Sequence, residues 1–156
     1  DLSRFVGWVT LTHTQRWHAN RGSTGSGHVY QGRFKSFPIQ DDDHFYVVCR
    51  YVERNALRAM LVEQAEQWQW SSLWRWKFGT AKEKKLLSNW PVARPRGWTA
   101  HVNAPQTEAE LEAIRRCVRR GQPFGDERWT ERMVKRLGLE TTMRPRGRPR
   151  KAVKGS

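Results

Sequence analysis

The sequence predicts an α+β fold, and three observations carry that prediction. Val29 to Ile39 alternates with period two, Tyr30 and Phe34 facing one way and Gln31, Arg33 and Lys35 the other, as in a half-exposed strand. A tract after Asp41-Asp42-Asp43 instead has the 3.6-residue period of a helix. Helix punctuation recurs in the second half, with Thr107 and Glu110 spaced as a capping box and Asp126 and Gly138 bracketing an apolar-periodic run.

The elements follow in chain order. Leu2 to about Asn20 forms a helix with Phe5, Trp8 and Val9 on one side, and Arg21-Gly22-Ser23-Thr24-Gly25-Ser26-Gly27 ends it. Such a Gly/Ser loop can cradle a phosphate, but it lacks the Lys and Ser/Thr ending of a P-loop and reads as a flexible connection. The alternating strand comes next. Asp41 to Asp43 then offer N-caps for a helix running to about Val62. At about 100° per residue, Phe45, Val48, Cys49, Val52, Ala56, Ala59 and Met60 fall on one side as a buried stripe, and Tyr51, Asn55 and Arg58 gather on its flank.

Glu63 to Phe78 is helical or turn-rich, with Trp68, Trp70, Leu73, Trp74 and Trp76 expected to pack it onto the core. Pro91, Pro95, Gly97 and Pro105 make 79–105 an irregular linker. The Thr107 capping box opens a helix through Arg120, with Leu111, Ile114 and Val118 inward, and Asp126 caps another through Leu137 that Gly138 ends. Two helices joined by Gly121-Gln122-Pro123-Phe124-Gly125 fit a helix-turn-helix or an unspecialised helical hairpin equally well.

Composition points to a polyanionic partner. The 156 residues carry 29 Lys+Arg against 15 Asp+Glu, a net charge of +14. The charge clusters, with Arg115, Arg116, Arg119 and Arg120 in one helix and a basic run from Arg144 to Lys154. Nine tryptophans offer surfaces on which unpaired bases stack, although Trp is more often a packing residue. Two cysteines, Cys49 and Cys117, make neither a disulfide framework nor a zinc site, which suits a reducing, cytoplasmic setting. No apolar run approaches the roughly 20 residues of a membrane span, so no membrane partner is expected.

The chemistry concentrates in Cys49-Arg50-Tyr51-Val52-Glu53-Arg54-Asn55-Ala56-Leu57-Arg58. A phenol, an amide and a guanidinium on one flank can supply a nucleophile, an oxygen ligand for a hard cation and a phosphate clamp. Periodicity alone favours the plainer reading, with Tyr51 a boundary aromatic whose hydroxyl is in water and Asn55 a solvated helix residue.

The wording of the whole region goes further. His28-Val29-Tyr30-Gln31-Gly32-Arg33-Phe34-Lys35-Ser36, then Arg50 to Ala59, then Trp70-Ser71-Ser72-Leu73 resemble the REP-associated tyrosine transposases, single-strand DNA transposases of the His-hydrophobic-His (HUH) nuclease superfamily. The resemblance continues through Pro123-Phe124-Gly125, Trp129, Leu137-Gly138-Leu139 and the terminal Arg144 to Lys151, and so covers essentially the entire chain. It implies a partial ferredoxin-like domain, an antiparallel sheet with helices on it, over 1–78. The linker 79–105, a helical region over 106–139 and a disordered basic tail over 140–156 would follow.

The resemblance also implies roles. Tyr51 would attack a DNA phosphodiester and form a 5′-phosphotyrosine link. Asn55 would be one ligand of Mg²⁺ or Mn²⁺, beside two histidines of a His-hydrophobic-His strand. Gln31, Arg33 and Lys35, in a segment that the family places in its central sheet beside the Tyr51 helix, would contact DNA, as would Arg54 and Arg58. The five histidines, His13, His18, His28, His44 and His101, contain no pair separated by a single residue. Two imidazoles reach one metal from a strand only at that spacing, and His13 and His18 lie about 140° apart on a helix. In the family that motif falls just upstream of residue 1. With Asp1 not an initiator methionine, the chain is expected to be the C-terminal portion of a longer protein and inactive alone.

Arg146-Gly147-Arg148-Pro149 resembles an AT-hook, in which Gly permits close approach and two arginines enter the narrow minor groove of A·T-rich duplex. A basic tail that binds any phosphate backbone is the equal alternative. The expectation is a DNA transposase that binds, and when complete cleaves and rejoins, single-stranded DNA at palindromic hairpins in the nucleoid. The alternative is an inactive DNA-binding remnant acting through its helices and tail. The sequence leaves monomer and dimer open.

Overall fold

The computed structural model describes residues 1–144, and the Arg146-Gly147-Arg148-Pro149 motif lies outside them. It corrects the fold class. Every regular element among the described residues is a helix, and no ferredoxin-like antiparallel sheet forms among them. Their one β-type pairing is an isolated parallel bridge between Ile39 and Phe124. The expected strand from Val29 is irregular, exposed chain. Gly32 turns it at φ 72°, Pro38 lacks an N–H, and no neighbouring strand pairs its backbone. Period-two alternation marks a strand only when a ladder exists to receive it.

The chain divides into two compact units, Asp1–Ser36 and the residues from Phe37 onward. In the first, α1 spans Leu2–Arg21 as expected. Asp1 caps it, Oδ1 accepting from the Ser3 N–H at 2.8 Å, and Gly22 ends it in the left-handed region at φ 59°. No residue of α1 is buried, and the apolar side of Phe5, Trp8 and Val9 is open. The segment after the Gly/Ser loop is tied to α1 by a 2.8 Å hydrogen bond between the Tyr30 hydroxyl and His13 Nδ1.

The second unit begins with α2 (Asp43–Glu53), capped by Asp42, and α3 (Asn55–Arg58). The Arg54 N–H still reaches the Arg50 carbonyl at 2.9 Å, so the two helices are nearly continuous. They stop short of Val62 because Met60 adopts φ 57°, with the Leu61 N–H closing back onto the Ala56 carbonyl at 3.0 Å. The expected buried stripe is therefore corrected. Val48 and Ala56 are buried, whereas Val52 is 61% and Met60 91% exposed. The inward face is instead Tyr46, Cys49, Arg50, Glu53 and Leu57.

The core of this unit comprises Ala65, on a 3-10 turn over Ala65–Gln67, Leu73 of α4 (Ser72–Phe78), and Trp98 and Val102 of α6 (Trp98–Asn103). Trp90 packs edge-on against Trp98 at 5.1 Å and against Phe45 at 5.2 Å. The span 79–105 thus contains a short α5 (Ala81–Lys84) and, in α6, two of the most buried side chains. Trp70 and Trp76, expected inside, are exposed. Arg94 lies over the ring of Trp76 at 4.4 Å and that of Trp90 at 3.8 Å.

The C-terminal helices form as their punctuation dictates. Thr107 and Glu110 close a reciprocal capping box on α7 (Glu108–Arg120), and Asp126 caps α8 (Glu127–Leu137), which Gly138 ends at φ 64°. A short α9 (Glu140–Met143) follows. Gln40 and Asp126 exchange two 2.8 Å hydrogen bonds, and these, with the Ile39 bridge, hold the start of the unit to the turn before α8.

Candidate functional site

Spacings of four and three residues along the nearly continuous α2 and α3 bring Tyr51, Asn55 and Arg58 onto one flank, as the periodicity predicts. Arg58 joins them. Its guanidinium lies over the Tyr51 ring at 4.2 Å, and Nη2 donates to Asn55 Oδ1 at 2.7 Å. A guanidinium has only donors, so this bond fixes the amide orientation and points the Asn55 NH₂ group away from it. Arg58 Nη1 is buried without a hydrogen-bond partner, an unmet donor of the kind that costs about 1–3 kcal/mol.

The three tyrosines are distinguished by their hydroxyls. Tyr46 donates to the Ala93 carbonyl at 2.5 Å, and Tyr30 pairs with His13. Tyr51 is half-buried, and its hydroxyl has no hydrogen bond among the described residues. Its phenol oxygen is the one of the three not already committed.

These residues do not by themselves fit Mg²⁺ or Mn²⁺. A hard cation takes about six oxygen ligands, preferably anionic, whereas here a single neutral amide oxygen is bound to a positive guanidinium. No group of three or more His, Cys, Asp or Glu side chains that would hold a metal occurs among the described residues.

The other expected nucleic-acid contacts are placed differently. Arg54 turns inward, and its Nη1 donates to the Val102 carbonyl at 3.0 Å and to the Asn103 carbonyl. It thereby satisfies the C-terminal carbonyls of α6, a bracing role. Burial pushes its guanidinium below the ordinary arginine value, helped by the like charges of Arg50 and Arg58. Gln31, Arg33 and Lys35 are exposed on irregular chain in the first unit.

Sequence reasoning missed the polar network behind the flank. Arg50, 6% exposed, donates from Nη2 to the Ala104 and Pro105 carbonyls at 2.9 and 2.8 Å. Glu53, 4% exposed, accepts from Ser72 Oγ at 2.6 Å and from Trp98 Nε1 at 2.7 Å. Glu66 accepts from Lys77 Nζ at 2.9 Å and from Asn103 Nδ2 at 2.7 Å. A signal was present. Tyr46, Cys49, Glu53 and Leu57 recur at helical spacing, so Glu53 lies in line with the apolar face and requires buried donors.

Openings among the described residues of the second unit include the following. One, of 280 Å³, is bounded by Val52, Asn55, Leu61, Trp68, Trp70 and Ser71 and adjoins the Tyr51 flank through Asn55. Another, of 710 Å³, lies among α7, α8 and Met143, with Arg116 and Arg120 on its wall. A third, of 360 Å³, contains Trp76, Trp90 and Arg94.

Comparisons with protein-family models, with curated proteins and with solved structures give no match to this chain.

Proposed function

We propose that this chain is the nucleophile-bearing part of a single-strand DNA transposase similar to the REP-associated tyrosine transposases, acting on hairpin-forming DNA in the cytoplasm. The observation that supports it best is the Tyr51 flank. A phenol without a hydrogen bond lies under a guanidinium that has an unmet donor and is oriented by an amide. Arg58 is the phosphate clamp, since a guanidinium beside the phenol makes strong charge-assisted hydrogen bonds to phosphate oxygens. Asn55 orients the clamp. Tyr51 Oη attacks phosphorus, the bond to the neighbouring 3′-oxygen breaks, and that oxygen leaves with a proton as a 3′-hydroxyl, so the strand becomes a 5′-phosphotyrosine. The net charge of +14 holds the polyanion near the flank. No helix among the described residues is long and apolar enough to cross a membrane.

A second reading, an inactive DNA-binding protein, is favoured by two observations. The 156 residues contain no His-x-His, and Arg58 occupies the oxygen of Asn55. A labelled hairpin oligonucleotide on a denaturing gel separates the two readings. The chain alone is expected to give no adduct. Joined to an N-terminal segment with His-hydrophobic-His, it is expected to give a slow-moving covalent band that Tyr51→Phe abolishes. No band from the joined protein favours the inactive reading. A band that survives Tyr51→Phe overturns the choice of nucleophile and leaves Tyr46 or Tyr30.

A further inference from the structure

The 280 Å³ groove beside Asn55 has the wrong surface for an ordinary solvated cleft. Trp70 stands at its lip 71% exposed, although a tryptophan gains most from burial. Val52 at 61% and Leu61 at 63% add apolar wall, and Met60, 91% exposed, follows α3 with the left-handed φ of 57° at a position where glycine is the usual residue. That conformation is strained for a methionine, and it leaves a long apolar side chain in solvent between Ala59 and Leu61, which both line the groove. These residues lie close in sequence to a compact core that leaves them out. An exposed apolar patch with an oriented polar group at its edge is the form of a binding site.

We propose that this groove takes one unpaired nucleobase of a bound DNA strand, stacked on Trp70 and hydrogen-bonded by the Asn55 NH₂ group. The inference rests on the single-strand DNA reading above and deepens it by adding a base subsite to the phosphate clamp. Charge and size select the occupant. Asn55 on its wall is hydrogen-bonded to Arg58, in a chain of net charge +14, which suits a polyanion better than a second basic copy of this chain. Its volume is slightly below the roughly 300–1,000 Å³ of sites for drug-sized ligands, which fits a single planar base and excludes a docked helix. Arg58 holds the Asn55 oxygen, so the amide presents a donor to the groove. Asn55 therefore links the two subsites, orienting the clamp through Oδ1 and meeting an acceptor on the base through Nδ2. A base in the groove and its phosphate at Arg58 would belong to adjacent parts of one strand.

Anisotropy titration of the full chain with a labelled single-stranded oligonucleotide tests this, using wild type, Trp70→Ala and Trp70→Phe, and a series of oligonucleotides with one abasic position moved along the strand. Trp70→Ala is expected to weaken binding by about five- to 150-fold, the range for loss of one base–aromatic stack. Trp70→Phe, which keeps a ring, is expected to retain most of the affinity. The slope of log K against log salt should not change, because no phosphate contact is removed. One abasic position should cost wild type a similar factor and cost Trp70→Ala nothing further, since both remove the same stack. Salt-sensitive binding by wild type that Trp70→Ala and every abasic position leave intact overturns the base subsite alone. No binding by wild type at low salt overturns the DNA reading and the subsite together. Trp70 is outside the core, so an unchanged thermal melting curve for Trp70→Ala separates lost stacking from lost folding.

Discussion

At the scale of the residue, the chemistry divides between groups facing out and groups facing in, and arginine takes both parts. Arg50, Arg54 and Arg58 recur every four residues with the same side chain, yet Arg50 and Arg54 brace the carbonyls at the end of α6 and after it, and only Arg58 reaches Tyr51. The sequence placed Tyr51, Asn55 and Arg58 together correctly, because helical spacing alone fixes that. It could not separate Arg54 from Arg58, because the carbonyls that capture Arg54 lie 48 and 49 positions away in the chain. Glu66 shows the energetic side of the inward set. Burial would raise its carboxyl, but the hydrogen bonds from Asn103 and Lys77 outweigh burial and hold it below the ordinary value. A carboxylate depressed by folding stabilises the native state above its unfolded pKa of about 4.3 and loses that contribution as pH falls through its folded value. Urea unfolding of wild type and Glu66→Gln at a series of pH values should therefore show a loss of wild-type stability below about pH 4 that is shallower in the variant. Parallel acid limbs for the two proteins would assign the sensitivity to another group.

At the scale of the element, legibility follows how local the cause is. α7 and α8 begin and end where Thr107, Asp126 and Gly138 put them, since a cap acts within three residues. The stretch from Val29 to Ile39 fails for the opposite reason, because a strand exists only with a partner and none of the described chain supplies one. α6 was missed because Pro91, Pro95, Gly97 and Pro105 flank a helix of only six residues, yet its Trp98 and Val102 are core. The turn before α8 is equally constrained. A Cβ on Gly125 would lie 2.5 Å from the Trp129 ring and 2.6 Å from Gln40 Oε1, inside any normal contact. Gly125→Ala must displace either the ring or the Gln40–Asp126 pair, and is expected to destabilise by about 1–3 kcal/mol in denaturant unfolding. A change under about 0.5 kcal/mol would show that this joint is loose.

At the scale of the whole molecule, a strongly basic chain presents an unclosed aromatic groove that Asn55 joins to the guanidinium of Arg58 and the phenol beneath it. Charge was legible in composition and the groove was not, since every tryptophan looks like core until the fold leaves one out. The central claim is that this surface binds single-stranded DNA with Arg58 on a phosphate. Its most direct measurement is the affinity of a labelled hairpin-forming oligonucleotide, followed by anisotropy at several salt concentrations for wild type and Arg58→Ala. The account predicts that log K of the wild type falls linearly with log salt, and that Arg58→Ala binds more weakly with a slope shallower by about one. Binding that ignores salt, or no binding by wild type even at low salt, would contradict it.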